Sequence, residues 1–372
     1  MLKSFENRDG WIWYDGAFVE WNSAKTHIIN QGLHYASAVF EGERAYNGRI
    51  FKSIEHTKRF FNSAKIVGIE IPFSEDQINE AKNNLILKMN YTDCYVRPFA
   101  WRGSNLMGLS TTNSNVHVSI AVWDDWTTYY KLEDMKEGLS LITSPWKRPP
   151  PDSIPFEAKA SGPYLICTLS KSYAEDKGYN EALMLDYRGY VAEATSSNIF
   201  LIKGNDIHTP IPDCFLNGIT RQAVIKMATE QGFKITERHI LPEEIINFDE
   251  AFLTGTAAEI TPIRSIDEFN FNTGDNTGIG FFQFTTNHNK SLLKLRCSAA
   301  KGYLNPIKKR ENLKIITNAH VQKINFEGTK AKSVSFYLGD KIVTIKARKE
   351  IILSAGSIGS PHILLVSGVG NA

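Results

Sequence analysis

The chain has 372 residues, 42% hydrophobic and 22% charged, with 42 Lys+Arg against 40 Asp+Glu. That length can bury two or three cores, and the composition is that of a soluble globular protein. Three features exclude a membrane span, a disulfide framework and a metal site, and a cytoplasmic protein without a membrane partner is expected: Ile351–Val366, the nearest to a spanning run, is broken by Ser, Gly, Pro and His; Met1–Asp9 holds no signal-peptide core; and Cys94, Cys167, Cys214 and Cys297 are isolated.

Strands are expected at Trp11–Trp13, Phe18–Glu20 and Glu43–Tyr46, with Asn47-Gly48 closing a hairpin because both residues tolerate positive φ. A helix over His56–Val67 puts Phe60, Phe61, Ala64 and Val67 on one face, and a second over Glu75–Met89 starts behind Ser74 as its cap. Tyr95–Trp101 and Val116–Trp123 alternate as strands and complete an α+β unit over residues 1–125.

The polar and aromatic stretch Asp124–Gly138 reads as a connection, placed at 126–138 between domains, and Leu139–Thr143 as a strand. Pro145–Pro151 fits neither helix interior nor central strand and is a loop. A helix over Gly162–Gly178 carries Leu165, Ile166, Leu169 and Tyr173 at helical spacing, and strands Glu181–Asp186 and Ser197–Lys203 flank a turn at Arg188-Gly189. Thr220 precedes Arg221–Gly232, where Val224, Ile225, Met227 and Ala228 form an apolar face. It is read as the N-cap of a helix whose unpaired N–H groups and positive dipole end face an anion.

Lys159 lies among small and apolar neighbours in Pro155-Phe156-Glu157-Ala158-Lys159-Ala160-Ser161-Gly162. Burial disfavours the ammonium, and a neutral amine condenses with an aldehyde, which is the anchor pyridoxal phosphate requires. That cofactor also needs an acid partner at its pyridine nitrogen and a phosphate cup of N–H groups and hydroxyls. Glu193, in Val191-Ala192-Glu193-Ala194-Thr195-Ser196-Ser197-Asn198, and Gly218-Ile219-Thr220 can supply them. Together with Leu33-His34-Tyr35, Val39-Phe40-Glu41-Gly42, Tyr95-Val96-Arg97-Pro98 and Thr254–Pro262, these segments resemble, in order and over residues 1 to about 270, the branched-chain amino acid aminotransferases.

The resemblance implies a two-domain D-alanine aminotransferase-like enzyme of fold type IV, α+β in its small domain, with its pyridoxal-phosphate-binding large domain over 139–270. It implies that Lys159 anchors the cofactor and, once displaced, carries the α-proton, while Glu193 keeps the pyridine nitrogen protonated. Arg59, Ile219, Thr220 and Thr256 would hold the phosphate and Tyr164 the ring oxygen, and the turn at Thr256 and Ala257 would receive the substrate α-carboxylate. Tyr35 and Arg97 would greet the glutamate side chain. Tyr95 shares the strand face of Arg97, and Phe40, Met107, Trp126 and Tyr129 would enclose branched side chains. The implied reaction is transamination between Leu, Ile or Val and 2-oxoglutarate, in a homo-oligomer, at least a dimer, with the site near a subunit boundary. D-amino acid transamination and aminodeoxychorismate cleavage are the alternatives within the fold, and Tyr95-x-Arg97-Pro98 favours the branched-chain class.

The likeness stops near Glu268–Asn272, where the family continues into a closing helix, so the large domain is expected to be incomplete. Residues 1–268 hold 27 Lys+Arg and 35 Asp+Glu, net −8; residues 269–372 hold 15 and 5, net +10, which gives the overall +2. The lysines of 271–372 are spread among apolar residues rather than forming a block, so a solvated face is expected and a nucleic-acid partner is not. Ser333–Ile345 reads as a strand, a Gly-Asp turn and a strand, and a short helix is expected near Pro361–Val366. Arg296–Leu304, Ile324–Gly328 and Ile352–Pro361 resemble an interior stretch of a glucose-methanol-choline oxidoreductase, such as a choline dehydrogenase. No Gly-x-Gly-x-x-Gly follows a strand near the amino end, so no FAD is expected. A non-functional mosaic of two incomplete enzymes is the alternative reading of the whole chain.

Overall fold

The computed structural model describes residues 4–125, 130, 132–271 and 307–370, and the chain divides into two compact units, 1–281 and 282–372. In the first unit, β1 (Trp11–Tyr14), β2 (Ala17–Glu20), α1 (Gln31–Tyr35), β3 (Ala38–Phe40), β4 (Glu43–Tyr46), β5 (Arg49–Ile50), α2 (Ser53–Ile66), α3 (Glu75–Met89), β6 (Cys94–Arg102) and β7 (Val116–Trp123) follow one another. The strands form a seven-stranded sheet in the order β2-β1-β7-β6-β4-β5, with β3 paired to β6. Asn47 and Gly48, at φ 51° and 75°, make the two-residue turn between β4 and β5, as their tolerance of positive φ predicts. The cap read at Ser74 is a full capping box: Ser74 Oγ accepts from the Gln77 N–H, and Gln77 Oε1 accepts from the Ser74 N–H. Phe60, Ile78, Leu85 and Ile86 from α2 and α3 pack beneath Val96, Ile120 and Val122 of the sheet.

Next come α4 (Leu132–Glu137), β8 (Leu139–Thr143), α5 (Tyr164–Asp176), β9 (Glu181–Leu185), β10 (Val191–Ala194), β11 (Asn198–Lys203), β12 (Asp206–Thr209), α6 (Ile219–Glu230), β13 (Lys234–Glu237), β14 (Glu250–Gly255), β15 (Glu259–Ile266) and β16 (Phe269–Asn270). They build a nine-stranded sheet in the order β10-β9-β8-β15-β14-β11-β12-β13, with β16 on β15. β10 also pairs with β11 through Glu193 and Asn198, which closes β10-β9-β8-β15-β14-β11 into a ring. A closed ring leaves those strands few exposed positions, and β9, β10 and β11 are buried nearly throughout.

Three expectations change here. The turn at Arg188-Gly189 leads into β10, not into the strand at 198–203. Part of the expected connection at 126–138 is helical, because α4 occupies Leu132–Glu137. Thr220 is not an N-cap: Gly218 holds that position with φ −59° and ψ 141°, and Thr220 falls inside the first turn of α6. The physical reason is a contact from a distant strand, since the Gly218 N–H donates to Asn198 Oδ1 at 3.1 Å and a Cβ on Gly218 would lie 2.3 Å from that oxygen.

The second unit contains β17 (Ala319–Glu327), β18 (Lys330–Leu338) and β19 (Lys341–Lys346), an antiparallel sheet in chain order, followed by α7 (Gly356–Val366). The expected hairpin is present: Leu338 pairs with Lys341 across Gly339-Asp340, and Gly339 has φ 60°. The helix is longer than expected and includes Pro361. Ser367 Oγ accepts from the Ile324 N–H, tying the end of α7 to β17. No helix among the described residues is long and apolar enough to cross a membrane.

Candidate active site

A cavity of about 240 Å³ opens in the first unit, lined by residues of both its sheets. Lys159 reaches it because its segment lies across β3. The Phe40 N–H donates to the Lys159 carbonyl (3.0 Å), the Ser161 N–H to the Ala38 carbonyl (3.0 Å), and Ser63 Oγ of α2 accepts the Lys159 N–H (2.9 Å). Lys159 Nζ lies 2.5 Å from Tyr164 Oη and 4.8 Å from the Phe40 ring centre. Burial, and then the Arg59 guanidinium, depress the lysine to about 7, so near neutrality it is half an amine.

Glu193 faces the same cavity from β10. Burial pushes its carboxyl up to about 7, with Arg148 and Lys159 pulling the other way. Arg148 Nη2 is 2.8 Å from Glu193 Oε1, and Asn198 Nδ2 is 3.4 Å from Oε2. Arg59 stands on α2 in a bidentate pair, Nε and Nη2 donating to the two oxygens of Glu41 at 2.6 and 2.8 Å, with His56 Nδ1 at 2.7 Å from Glu41 Oε2. Burial alone would raise Glu41; Arg59 and His56 more than offset it and hold the carboxyl well below the usual range. Beneath them Lys82 and Glu43 form a fully buried pair at 2.9 Å, and Thr57 Oγ1 accepts from Lys82 Nζ at 2.7 Å.

The amino end of α6 brings Ile219 and Thr220 to the cavity, and no side chain caps its first turn. Free N–H groups and the helix dipole make that end a place for an anion. Thr256 and Ala257 line the cavity from the β14–β15 turn. That turn is tied to the other sheet through Glu259, 2.9 Å from Arg44 Nη1 and accepting from Tyr46 Oη at 2.6 Å. Arg97 Nη2 donates to Tyr95 Oη at 3.1 Å, and its guanidinium lies 4.9 Å from the Phe40 ring centre. Gly42 is required here, because a Cβ on it would come within 2.0 Å of Tyr95 Oη.

Eleven of the fifteen residues singled out in the sequence thus surround one cavity: Phe40, Arg59, Tyr95, Arg97, Lys159, Tyr164, Glu193, Ile219, Thr220, Thr256 and Ala257. Tyr35, on α1, and Met107, in the loop after β6, are exposed and do not line it. Trp126 and Tyr129 lie outside the described residues. Sequence reasoning missed Arg148, Asn198, Ser197 and Thr254, all of which line the cavity. The one signal for Arg148 was its place in a proline-stiffened loop just ahead of the lysine segment.

Pyridoxal phosphate fits this donor set. Arg97 Nε, Arg148 Nε, Ser197 Oγ and Thr254 Oγ1 are buried without a hydrogen-bond partner, a cost that a polar ligand in the cavity relieves. The residues also divide as the cofactor does: an amine, a carboxyl in the same cavity, and a helix end without a side-chain cap.

The amino-transferase class IV family matches residues 38–266, well over half the chain. The chain belongs to that family. The branched-chain-amino-acid aminotransferase of Pseudomonas aeruginosa is 44% identical over 268 residues, 71% of this chain and 87% of that protein. The crystal structure of the Escherichia coli branched-chain amino acid aminotransferase aligns with TM-score 0.70 and 37% identity over 72% of this chain and 90% of that one. A T.th. branched-chain amino acid aminotransferase complexed with N-(5'-phosphopyridoxyl)-L-glutamate aligns with TM-score 0.68 and 38% identity, over 72% of this chain and 89% of that one. The chain is therefore an enzyme of the aminotransferase class with the fold type IV architecture.

The GMC oxidoreductase family also matches, over residues 185–372, in agreement with the resemblance seen in the last hundred residues. Its first part overlaps the aminotransferase match at 185–266, and there β10, β11, β14 and β15 are strands of the ring that carries Glu193 and the Thr256 turn.

Proposed function

We propose that the chain is a cytoplasmic, pyridoxal-phosphate-dependent aminotransferase exchanging amino groups between branched-chain L-amino acids (Leu, Ile, Val) and 2-oxoglutarate. The observation that carries this reading is Lys159: a buried amine depressed to about 7, hydrogen-bonded to Tyr164 in a cavity that also holds Glu193 and the uncapped end of α6. Pyridoxal phosphate, when bound, supplies the aldehyde that takes up the amino group and the ring that delocalises the electron pair left at the α-carbon.

The chain's own residues then have separable tasks. Lys159 Nζ would hold the cofactor and, as a neutral amine, would take and return the substrate α-proton; its low proton affinity suits a base near neutral pH. Tyr164 Oη orients that nitrogen. The carboxylate of Glu193 supports a protonated pyridine nitrogen. The first turn of α6 with Arg59 and Thr256 receives the phosphate, Glu41 fixing the plane of the Arg59 guanidinium. The N–H groups of the Thr256-Ala257 turn take the α-carboxylate, and Phe40 offers an apolar wall to a branched side chain. Arg97 with Tyr95 meets the second carboxylate of glutamate, in keeping with the glutamate adduct named for the T.th. relative.

We also propose a homo-oligomer. Gln31 of α1 donates to the carbonyls of Gly108 and Ser110, joining two segments that expose Ile28, Leu33, Tyr35, Leu106, Met107 and Leu109, an apolar surface of the kind a second copy covers. Sedimentation should show a dimer or larger, and a monomer at micromolar concentration would overturn this part. The activity is tested by absorbance of the purified protein with pyridoxal phosphate, before and after L-leucine. The bound-cofactor band should shift with leucine and return with 2-oxoglutarate; no response to leucine would refute the assignment.

A further inference from the structure

We infer that Arg148 is a positioning residue that favours the ionised form of Glu193 against its burial and turns one of its oxygens toward the cofactor's pyridine nitrogen. The inference rests on the aminotransferase reading above and concerns a residue outside the motifs that suggested it.

The geometry is specific. Arg148 sits in the loop after β8, where its N–H donates to the Leu185 carbonyl and its backbone bridges to Asp186, so the side chain leaves from a fixed point. Its Nη2 takes Glu193 Oε1 at 2.8 Å, and both side chains are almost wholly buried. Oε1 is thereby engaged, and Oε2, with Asn198 Nδ2 at a long 3.4 Å, is the oxygen left for a ligand. Both residues line the cavity, and Arg148 Nε is buried without a partner.

The chemistry follows from burial. A carboxyl taken out of water prefers its neutral form, and a neutral acid cannot sustain a charge-assisted bond to a protonated nitrogen. The titratable or charged groups facing Glu193 are Arg148, Lys159, Tyr164, Cys167 and Cys214. Burial raises the tyrosine and both thiols, keeping them neutral. Burial lowers Lys159, which sheds its charge as the pH rises. Arg148 is the one group in this set that stays cationic throughout, so the ionisation of Glu193 depends on it.

The test uses the full chain carrying ¹³C-carboxyl-labelled glutamate, with the Glu193 signal identified by its loss in Glu193→Gln. In the cofactor-free protein the Glu193 midpoint should rise by about one unit or more in Arg148→Gln and by less in Arg148→Lys, which restores a cation. With pyridoxal phosphate bound, Arg148→Gln should slow the leucine half-reaction, and the double variant Arg148→Gln/Glu193→Gln should be no slower than Glu193→Gln alone. An unchanged midpoint in both variants, or additive losses in the double variant, would overturn the inference. Should Arg148→Gln not fold, the decision falls to Arg148→Lys against wild type, where an unmoved midpoint is the negative result. Failure of the wild-type protein to take up pyridoxal phosphate would instead strike the aminotransferase reading, and the two failures are distinguishable.

Discussion

The two units solve the covering of a β-sheet in different ways. In the first, β9, β10 and β11 lie in a ring closed between Glu193 and Asn198, and almost every residue in them is buried. In the second, β18 keeps Ser333, Ser335 and Phe336 inside, while every residue of β19 is at least partly exposed, Ile342 at 56% and Ile345 at 47%. Long-range closure is what creates the cavity: the ring helps bring residues 148, 193, 198 and 254 together, whereas the described strands of the second unit form a meander that pairs neighbours in sequence. The chemistry proposed above rests on residues of the first unit.

The sharpest test of that division is Lys159→Ala. Transamination and the bound-cofactor band should both fall to background, because among the described residues lining the cavity Lys159 is the one lysine that can make the linkage or carry the proton. Retained turnover would place the chemistry elsewhere. Next in size is a pair of core truncations. Ile120→Ala, on the buried face of the first sheet, should cost about 2–5 kcal/mol and release cofactor at lower temperature. Phe336→Ala, in the second unit, should leave the cofactor's melting transition where it was. Equal shifts of that transition would mean that the units fold as one.

Within the first unit, Arg97→Ala should reduce kcat/KM for glutamate about 10–100-fold more than for leucine, the scale of a lost charge-assisted hydrogen bond. Equal losses would argue against a role in reading the second carboxylate. The pH dependence of cofactor capture is a gentler probe. The lysine midpoint is lowered to about 7, so the reactive amine predominates above that pH, and capture should slow about tenfold per unit below it. A rate still climbing toward pH 10 would indicate an ordinary, solvated lysine.

These contrasts also explain what the sequence disclosed. The bounds of α3, β7 and β8 match their expected spans because each carries a local signal, the Ser74 cap or an apolar period. The hairpin at Gly339-Asp340 was legible for the same reason. β3 and β10, of three and four residues, are too short to show a period. β10 also buries Glu193, which is stable there beside Arg148 of a loop 45 positions earlier, a pairing no local pattern announces. Thr220 was misread because its environment is set by Asn198, on a strand that folds back to meet Gly218.

The smallest expected effects make the finest comparison between the units. Gly48 and Gly339 both occupy two-residue turns at positive φ, 75° and 60°, and a Cβ on either would meet nothing within 4 Å. Alanine at each therefore carries the same backbone penalty, about 1–2 kcal/mol, without steric clash. The consequences should differ with place in the sheet. β5 is a two-residue edge strand, so Gly48→Ala should speed amide exchange in β4 and β5 and leave β6 and β7 unaltered. β18 is the central strand of three, so strain at its end cannot be confined, and Gly339→Ala should speed exchange through β17, β18 and β19 together. Exchange that stays local in both variants would show that the second unit is held as firmly as the first.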